Sequence, residues 1–327
     1  MEGATNATRI EILRRIAASF WARALVSAGL LALVATQVDF HTVGSRLSGA
    51  SWGWFATAVV LLLASFVVAA LRWQLFLAAA GLKVPPAGAV RAYLIGAFAN
   101  NFLPSQVGGD VVRAWIASRP GERVRAMTTV VIDRATALGC LLAVGWIAFA
   151  AHSGPVPGQI ASATASATGV LGLSFWLGLV LVRSRRVRLR LPPRLRSHGR
   201  SARDAARTCF ASGVLTKTVA LGLVFEGLVA LSAWLVAHSL DLALPFSTLV
   251  ITLAPVHVLS VLPISIGGFG VREGSYVFLL SYAGVGATDA TLFSLLSAAA
   301  GAVASLPGAL ALLRAPRARG RPAGADR

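Results

Sequence analysis

Charge is scarce in this sequence, and negative charge scarcer still. Only 13% of the 327 residues are charged, and 12 acids stand against 30 bases. With 56% hydrophobic residues and a mean hydropathy of +0.74, the chain lies well outside the composition of a soluble globular domain. Lysine is nearly missing, with Lys83 and Lys217 its two copies, which reads as a coding bias toward arginine and alanine. Cysteine is nearly missing too. Cys140 lies in an apolar run and Cys209 beside a basic one, so neither a disulfide framework nor a cysteine metal site is expected. No H-E-x-x-H pattern, nucleophile constellation or phosphate-binding P-loop occurs, so no enzyme activity, bound metal or cofactor is expected.

What the chain does have is apolar runs and arginines between them. A formal charge of +18 raises nucleic acid as a partner, but the arginines gather between apolar blocks rather than along a face interleaved with aromatics. Positive-inside loops account for that pattern, and nucleic acid is not expected. About 20 apolar residues cross the hydrocarbon core as a helix. Six stretches meet that measure: Trp21–Val38, Trp54–Ala80, Met127–Ala151, Ala161–Val182, Gly213–Ser239 and Thr288–Leu313. Arg9, Arg14 and Arg15 before the first run resemble the start of a signal peptide, but no small-residue cleavage site ends the run, so a retained span is expected. Arginines crowd the N-terminus, the region 73–127, the stretch 183–207 and the tail, while the opposite loops hold Arg46 alone. Both termini are therefore expected in the cytosol. The domain layout that follows is a cytosolic segment 1–20, one membrane domain 21–314 with a basic cytosolic loop 183–212, and a basic tail 315–327. The stretch 183–207 is expected to be a solvated loop lying on anionic lipid head groups.

Two further apolar stretches, Gly88–Leu103 and Pro245–Leu262, lead into two copies of one motif. Leu103-Pro104-Ser105-Gln106-Val107-Gly108-Gly109-Asp110-Val111-Val112-Arg113 and Leu262-Pro263-Ile264-Ser265-Ile266-Gly267-Gly268-Phe269-Gly270-Val271-Arg272 share L-P-x-x-[VI]-G-G-x-x-V-R at a constant offset. The copies predict an internal duplication, with repeats of about 54–151 and 213–313, each reading as helix, motif hairpin, helix. The predicted fold is all-α and polytopic: six transmembrane helices plus two re-entrant hairpins in an inverted repeat, with eight full spans as the alternative. Inverted repeats with broken helices are a recurring transporter plan.

Irregular backbone at membrane depth is tolerated only where it is buried in protein or lines a cavity. A helix starting after Gly108-Gly109 or Gly267-Gly268 would aim free N–H groups at such a cavity, and Arg113 and Arg272 would lie about one turn in, suited to a phosphate. Asn101, Pro104 and Pro263 complete the candidate binding set; the alternative for the glycines is close helix packing. Asp133-Arg134 stands early in its span, either as functional charges or as an interfacial pair. Arg72 ends its span and reads as a snorkelling anchor. Glu226, mid-span, needs a partner, for which Arg113, Arg134 and Arg272 are the candidates. Asp110, Asp133, Glu226 and Glu273 are the acids that could act as counter-ions or couple protons. His257 is expected to be a hydrogen-bonded structural residue.

These residues resemble the lysylphosphatidylglycerol synthase transmembrane-region family, also described as flippase-like domain proteins. The resemblance is carried by Leu71-Arg72-Trp73, the run from Tyr93 through Asn100-Asn101 to Arg113, Asp133-Arg134, and Leu262 through Glu273, and it extends from about residue 20 to 314. Asp133 stands where the family usually has Glu before Arg, and Ile266 where a proline commonly precedes the glycines. No soluble aminoacyl-transferase domain follows within these residues, so the resemblance implies the translocating half of that system. That means moving an anionic phospholipid or polyprenyl-phosphate glycolipid between leaflets of a prokaryotic cytoplasmic membrane. Arg113, Arg272 and Arg134 would hold the phosphate. A membrane scaffold or accessory subunit for a glycosyltransferase is the alternative, and a glycosyltransferase or lipid-modifying enzyme is the expected protein partner.

Overall fold

The structure, a computed structural model, describes residues 22, 24–103, 107–152, 156–183, 193–261, 265 and 268–314. Among them all regular structure is helical. Four of the described helices are long and apolar enough to cross a membrane, α3 (Trp52–Ala79), α6 (Arg123–Ala150), α9 (Ser212–Ser239) and α12 (Ala287–Leu313), or five spans with one bent pair near the N-terminus. At 1.5 Å per residue, 28 residues make a rod of about 42 Å, longer than the roughly 30 Å hydrocarbon core. All four are apolar on every side, and Val60, Val131, Val224 and Leu306 point outward. That is the pattern of a helix with lipid, not water, as its outer solvent.

Each repeat contributes a long helix, two short ones and a second long helix. The first consists of α3, α4 (Pro86–Asn100), α5 (Val107–Ile116) and α6; the second of α9, α10 (Phe246–Val261), α11 (Val271–Ser281) and α12. Packing crosses between them. α3 lies against α9, α4 packs on α12 of the other repeat, and α10 packs on α6. The α3–α9 pair is antiparallel: the Ser51 N–H donates to the Ser239 carbonyl at 2.8 Å, and the Ser232 hydroxyl donates to the Ala58 carbonyl at 2.9 Å. Ala58, Ala69, Ala230, Ala233 and Ala237, all buried, let these backbones approach. A Cβ added at Gly308 of α12 would overlap the Leu94 carbonyl of α4, so that contact is backbone against backbone.

The two ends of the molecule are chemically different. At one end Trp73, Phe76, Leu82, Ala89, Ala114, Ala126 and Cys209 form one apolar cluster, which gathers the end of α3, the start of α4, the end of α5 and the start of α6. The end of α12 is there too, since Arg91 donates to the Ala311 carbonyl at 3.3 Å. At the other end a second cluster joins Leu240, Leu244, Leu249, Leu280, Ala290 and Phe293, from the end of α9, the start of α10, the end of α11 and the start of α12.

Three expectations change in detail. The first predicted span, 21–38, is α1 (Ala24–Ala35), after which the chain turns by 82° into α2 (Phe40–Ser48). Asp39 causes the break by capping α2, its carboxylate accepting from the His41 N–H at 3.0 Å. The predicted span 161–182 lies in α7 (Gly158–Arg183), which packs on α6 and α10. The expected basic loop 183–212 is helical over α8 (Pro193–Cys209). One stripe of that helix, Ala205, Ala206 and Cys209, is buried, whereas Arg200 and Arg207 are exposed. An amphipathic stripe that long is better satisfied by docking than by solvation. Burial pushes the Cys209 thiol up to about 11.

Candidate functional site

Charged side chains meet where α5, α6 and α3 converge. Asp133 of α6 is the centre: its Oδ1 accepts from Arg72 Nε of α3 at 2.8 Å, and its Oδ2 from Arg113 Nη2 of α5 at 3.0 Å. Arg113 Nε donates in turn to Asp110 Oδ1 at 3.0 Å, three residues earlier on the same helix. Asp110 Oδ2 accepts from Arg134 Nε at 2.6 Å. The result is a chain of alternating charges, Arg72, Asp133, Arg113, Asp110, Arg134, with three guanidiniums against two carboxylates. Arg72, Asp133, Arg113 and Asp110 are buried, while the Arg134 side chain is 35% exposed and forms the rim.

Aromatic rings wall this chain. The Arg113 guanidinium lies 4.7 Å from the Trp73 ring and 4.8 Å from the Tyr93 ring, and Trp73 is anchored by donating to Thr129 Oγ1 at 3.1 Å. Such stacking suits a guanidinium stripped of water. Nη1 of Arg72 and Nη1 of Arg113 are buried without an acceptor among the described residues. Buried donors of that kind are costly to leave unmade.

The first hairpin is held together by its motif glycines. A Cβ on Gly109 would overlap the Gly96 carbonyl, and one on Gly96 would sit 3.2 Å from the Arg113 Cβ. Asn100 Oδ1 accepts the Gly109 N–H at 2.7 Å, and Asn101 donates to Ser305 of α12 at 2.8 Å. α5 starts at Val107, so Gly108 and Gly109 lie within its first turn rather than before it. The N–H expected to face a cavity at Gly109 is therefore taken by Asn100, and the packing alternative describes this pair.

The second motif folds differently. Gly268 and Gly270 adopt φ values of +83° and +82°, which glycine alone enters without strain, and α11 starts only at Val271. Arg272 is thus the second residue of its helix, not one turn in. Glu273, fully buried, accepts from the Gly270 N–H at 2.7 Å and from Arg272 Nη2 at 2.6 Å. Ser294 of α12 lies 3.4 Å from the same carboxylate. Arg272 and Arg113 share no partner among the described residues. Pro104, Pro263 and Gly267 lie outside those residues.

Arg72 is corrected from snorkelling anchor to buried member of the cluster, 2% exposed. Its position near a span end hid this, because only the fold brings Asp133 beside it. Glu226 of α9 is buried, and the charged group acting on it is Arg72 rather than Arg113, Arg134 or Arg272. His257 places Nδ1 2.9 Å from the Leu253 carbonyl, as expected of a structural histidine. Asn100 was missed as a positioning residue; its place one residue before Asn101 carried the only signal. Among the described residues no three of His, Cys, Asp and Glu come together as a metal site.

Residues 20–308 match the family model described as lysylphosphatidylglycerol synthase TM region, and the chain belongs to that family. A search of curated proteins finds no match. The family places this membrane protein in a lipid-related role.

Proposed function

We propose that this member of the lysylphosphatidylglycerol synthase TM region family moves a lipid with an anionic head group, a phospholipid or a polyprenyl-phosphate glycolipid, between membrane leaflets. The observation that carries the reading is the chain of three guanidiniums and two carboxylates, buried except for Arg134 at its rim and walled by aromatic rings, in which positive charge exceeds negative by one. A phosphate is an anion that guanidinium donors bind bidentately. Arg134 is the entry side, being the member of the chain that reaches the surface.

The two hairpins are re-entrant in this reading. α4 and α5 begin and finish in one apolar cluster, and α10 and α11 in the other, which supports hairpins entering from opposite faces. Gly145 of α6 faces Ala254 of α10, and Leu138, Leu141 and Leu142 join Val258 one turn on, so α10 runs toward the level of Arg134. The head group then sits beside Arg134, between α5 and the end of α10, with Arg272 and Glu273 as a second charged pair on the far hairpin. Positive-inside counting supports a cytosolic side for both termini and α8, with α8 on anionic lipid, and the family resemblance supports a prokaryotic membrane.

Proteoliposomes carrying a trace of fluorescent phosphatidylglycerol, read by quenching of the outer leaflet, test this. The wild-type chain is expected to expose inner-leaflet probe. Arg113→Lys and Arg134→Gln should each slow that exposure by about 10- to 100-fold, the worth of one charge-assisted hydrogen bond. Equal rates in wild type and both variants would remove the site. A wild-type chain that moves no lipid would favour a scaffold for a glycosyltransferase or lipid-modifying enzyme, using the exposed arginines of α8 as the docking face.

A further inference from the structure

Glu226 is the one buried acid of the spans whose carboxylate makes no hydrogen bond or ion pair to another described residue. It lies on α9 one turn after Gly222. That glycine is where α9 meets the cluster: a Cβ there would be 3.4 Å from Arg72 Nη1 and against the Cys140 thiol. Helical side chains lean toward the N-terminus of their helix, so the Glu226 carboxylate leans over the Gly222 turn, toward Arg72 Nη1. Arg72 Nη1 is itself buried without an acceptor among the described residues. Its guanidinium is held there by Asp133 and by the ring of Phe225, 5.4 Å away.

Among the described residues, the helices packed on α9 hold few charged or titratable groups beyond the cluster itself. α3 has Arg72 as its one charged residue. α6 faces it with Asp133 and with Cys140, whose thiol is 3.7 Å from the Val219 carbonyl. His257 of α10 is occupied by Leu253, and α12 has Asp289 alone, in its first turn. On α9 itself Lys217 is more than two turns away, toward the basic end.

Among the described residues the chain holds three guanidiniums against two carboxylates, one positive charge more than negative. An ionised Glu226 cancels it, and so does the single negative charge of a phosphodiester head group. Both together would leave an excess negative charge beside the buried Arg72, Asp133 and Glu226, where such a charge is expensive. We infer that Glu226 is the resting counter-ion of this cluster, and that an anionic head group enters together with a proton, which Glu226 takes up as it yields Arg72. The coupling runs through Asp133, whose two oxygens hold Arg72 and Arg113 at once. This inference rests on the head-group reading above. By linkage, the anion favours the protonated acid and the protonated acid favours the anion, so affinity rises as pH falls.

Calorimetry on the purified full chain, titrated with dihexanoyl phosphatidylglycerol in buffers of different ionisation enthalpy, measures the protons exchanged. The wild type is expected to take up close to one proton per lipid where Glu226 titrates, with affinity gaining up to about tenfold for each pH unit lowered. Glu226→Gln is expected to bind with no proton uptake and no pH slope, as a permanent mimic of the protonated state. Wild-type binding without proton uptake overturns this inference alone, whatever the variant does. Uptake that persists in Glu226→Gln overturns the assignment to this residue. No binding by the wild type at any pH overturns the head-group reading, and this inference with it.

Discussion

Asp133 is bonded to two buried guanidiniums through separate oxygens, so it is the residue on which the cluster's charge balance depends. Asp133→Asn keeps the shape and removes the charge, leaving Arg72 and Arg113 buried without a counter-ion between them. Breaking a buried pair in this way costs about 3–5 kcal/mol, and thermal unfolding of the purified variant should show a loss of that size. Stability equal to wild type would mean that the carboxylate is dispensable there. Most members of this cluster are legible in the sequence, because charges inside apolar runs are too expensive to be incidental. Asp133, Arg134 and, beside the cluster, Glu226 stand out on that ground, and Arg113 and Asp110 by their place in the repeated motif. Arg72 does not, since a basic residue near the end of a span is as well explained by snorkelling, and only a neighbour from α6 decides otherwise.

At the scale of helices, glycines mark where backbones touch. Gly109 against Gly96 closes the first hairpin, and Gly308 against Leu94 seats α4 on α12. Gly109→Ala and Gly308→Ala place a methyl group into a carbonyl oxygen and are expected to lower the yield of folded protein sharply. Gly139→Ala, on α6, meets nothing within 4 Å and should be silent. Size-exclusion profiles of the three variants check this, and a normal profile for Gly109→Ala would contradict the packing described. The duplicated motif predicts two like hairpins, yet α5 includes its glycine pair whereas α11 starts only after Gly270. The difference is set by neighbours. Gly270 is pressed against Leu30 and Ser27 of α1.

For the whole molecule, the decisive property is which side each hairpin end reaches. Single cysteines in a background lacking Cys140 and Cys209, treated with an impermeant maleimide, answer it. Positions Lys83 and Arg119 flank α4 and α5 and should label together from the cytosolic side. Positions Asp241 and Gly286 flank α10 and α11 and should label together from the other. Flanks of one hairpin labelled from opposite sides would mean full crossings and eight spans.

The sequence by itself determined that the chain is an all-helical membrane protein, that it carries one motif twice, and that a few charges stand inside its apolar runs. These follow from local quantities: hydropathy over about 20 residues, a constant offset, and the cost of a charge in an apolar run. It also carried the family through motifs that a model over residues 20–308 matches. Only the tertiary structure decided the pairings. Arg72 with Asp133 joins residues 61 apart, and Asn101 with Ser305 joins residues 204 apart. No periodicity encodes such contacts, because they arise from packing one repeat against the other. Partner choice in a buried cluster depends on which side chains that packing brings within about 3 Å, the reach of a hydrogen bond.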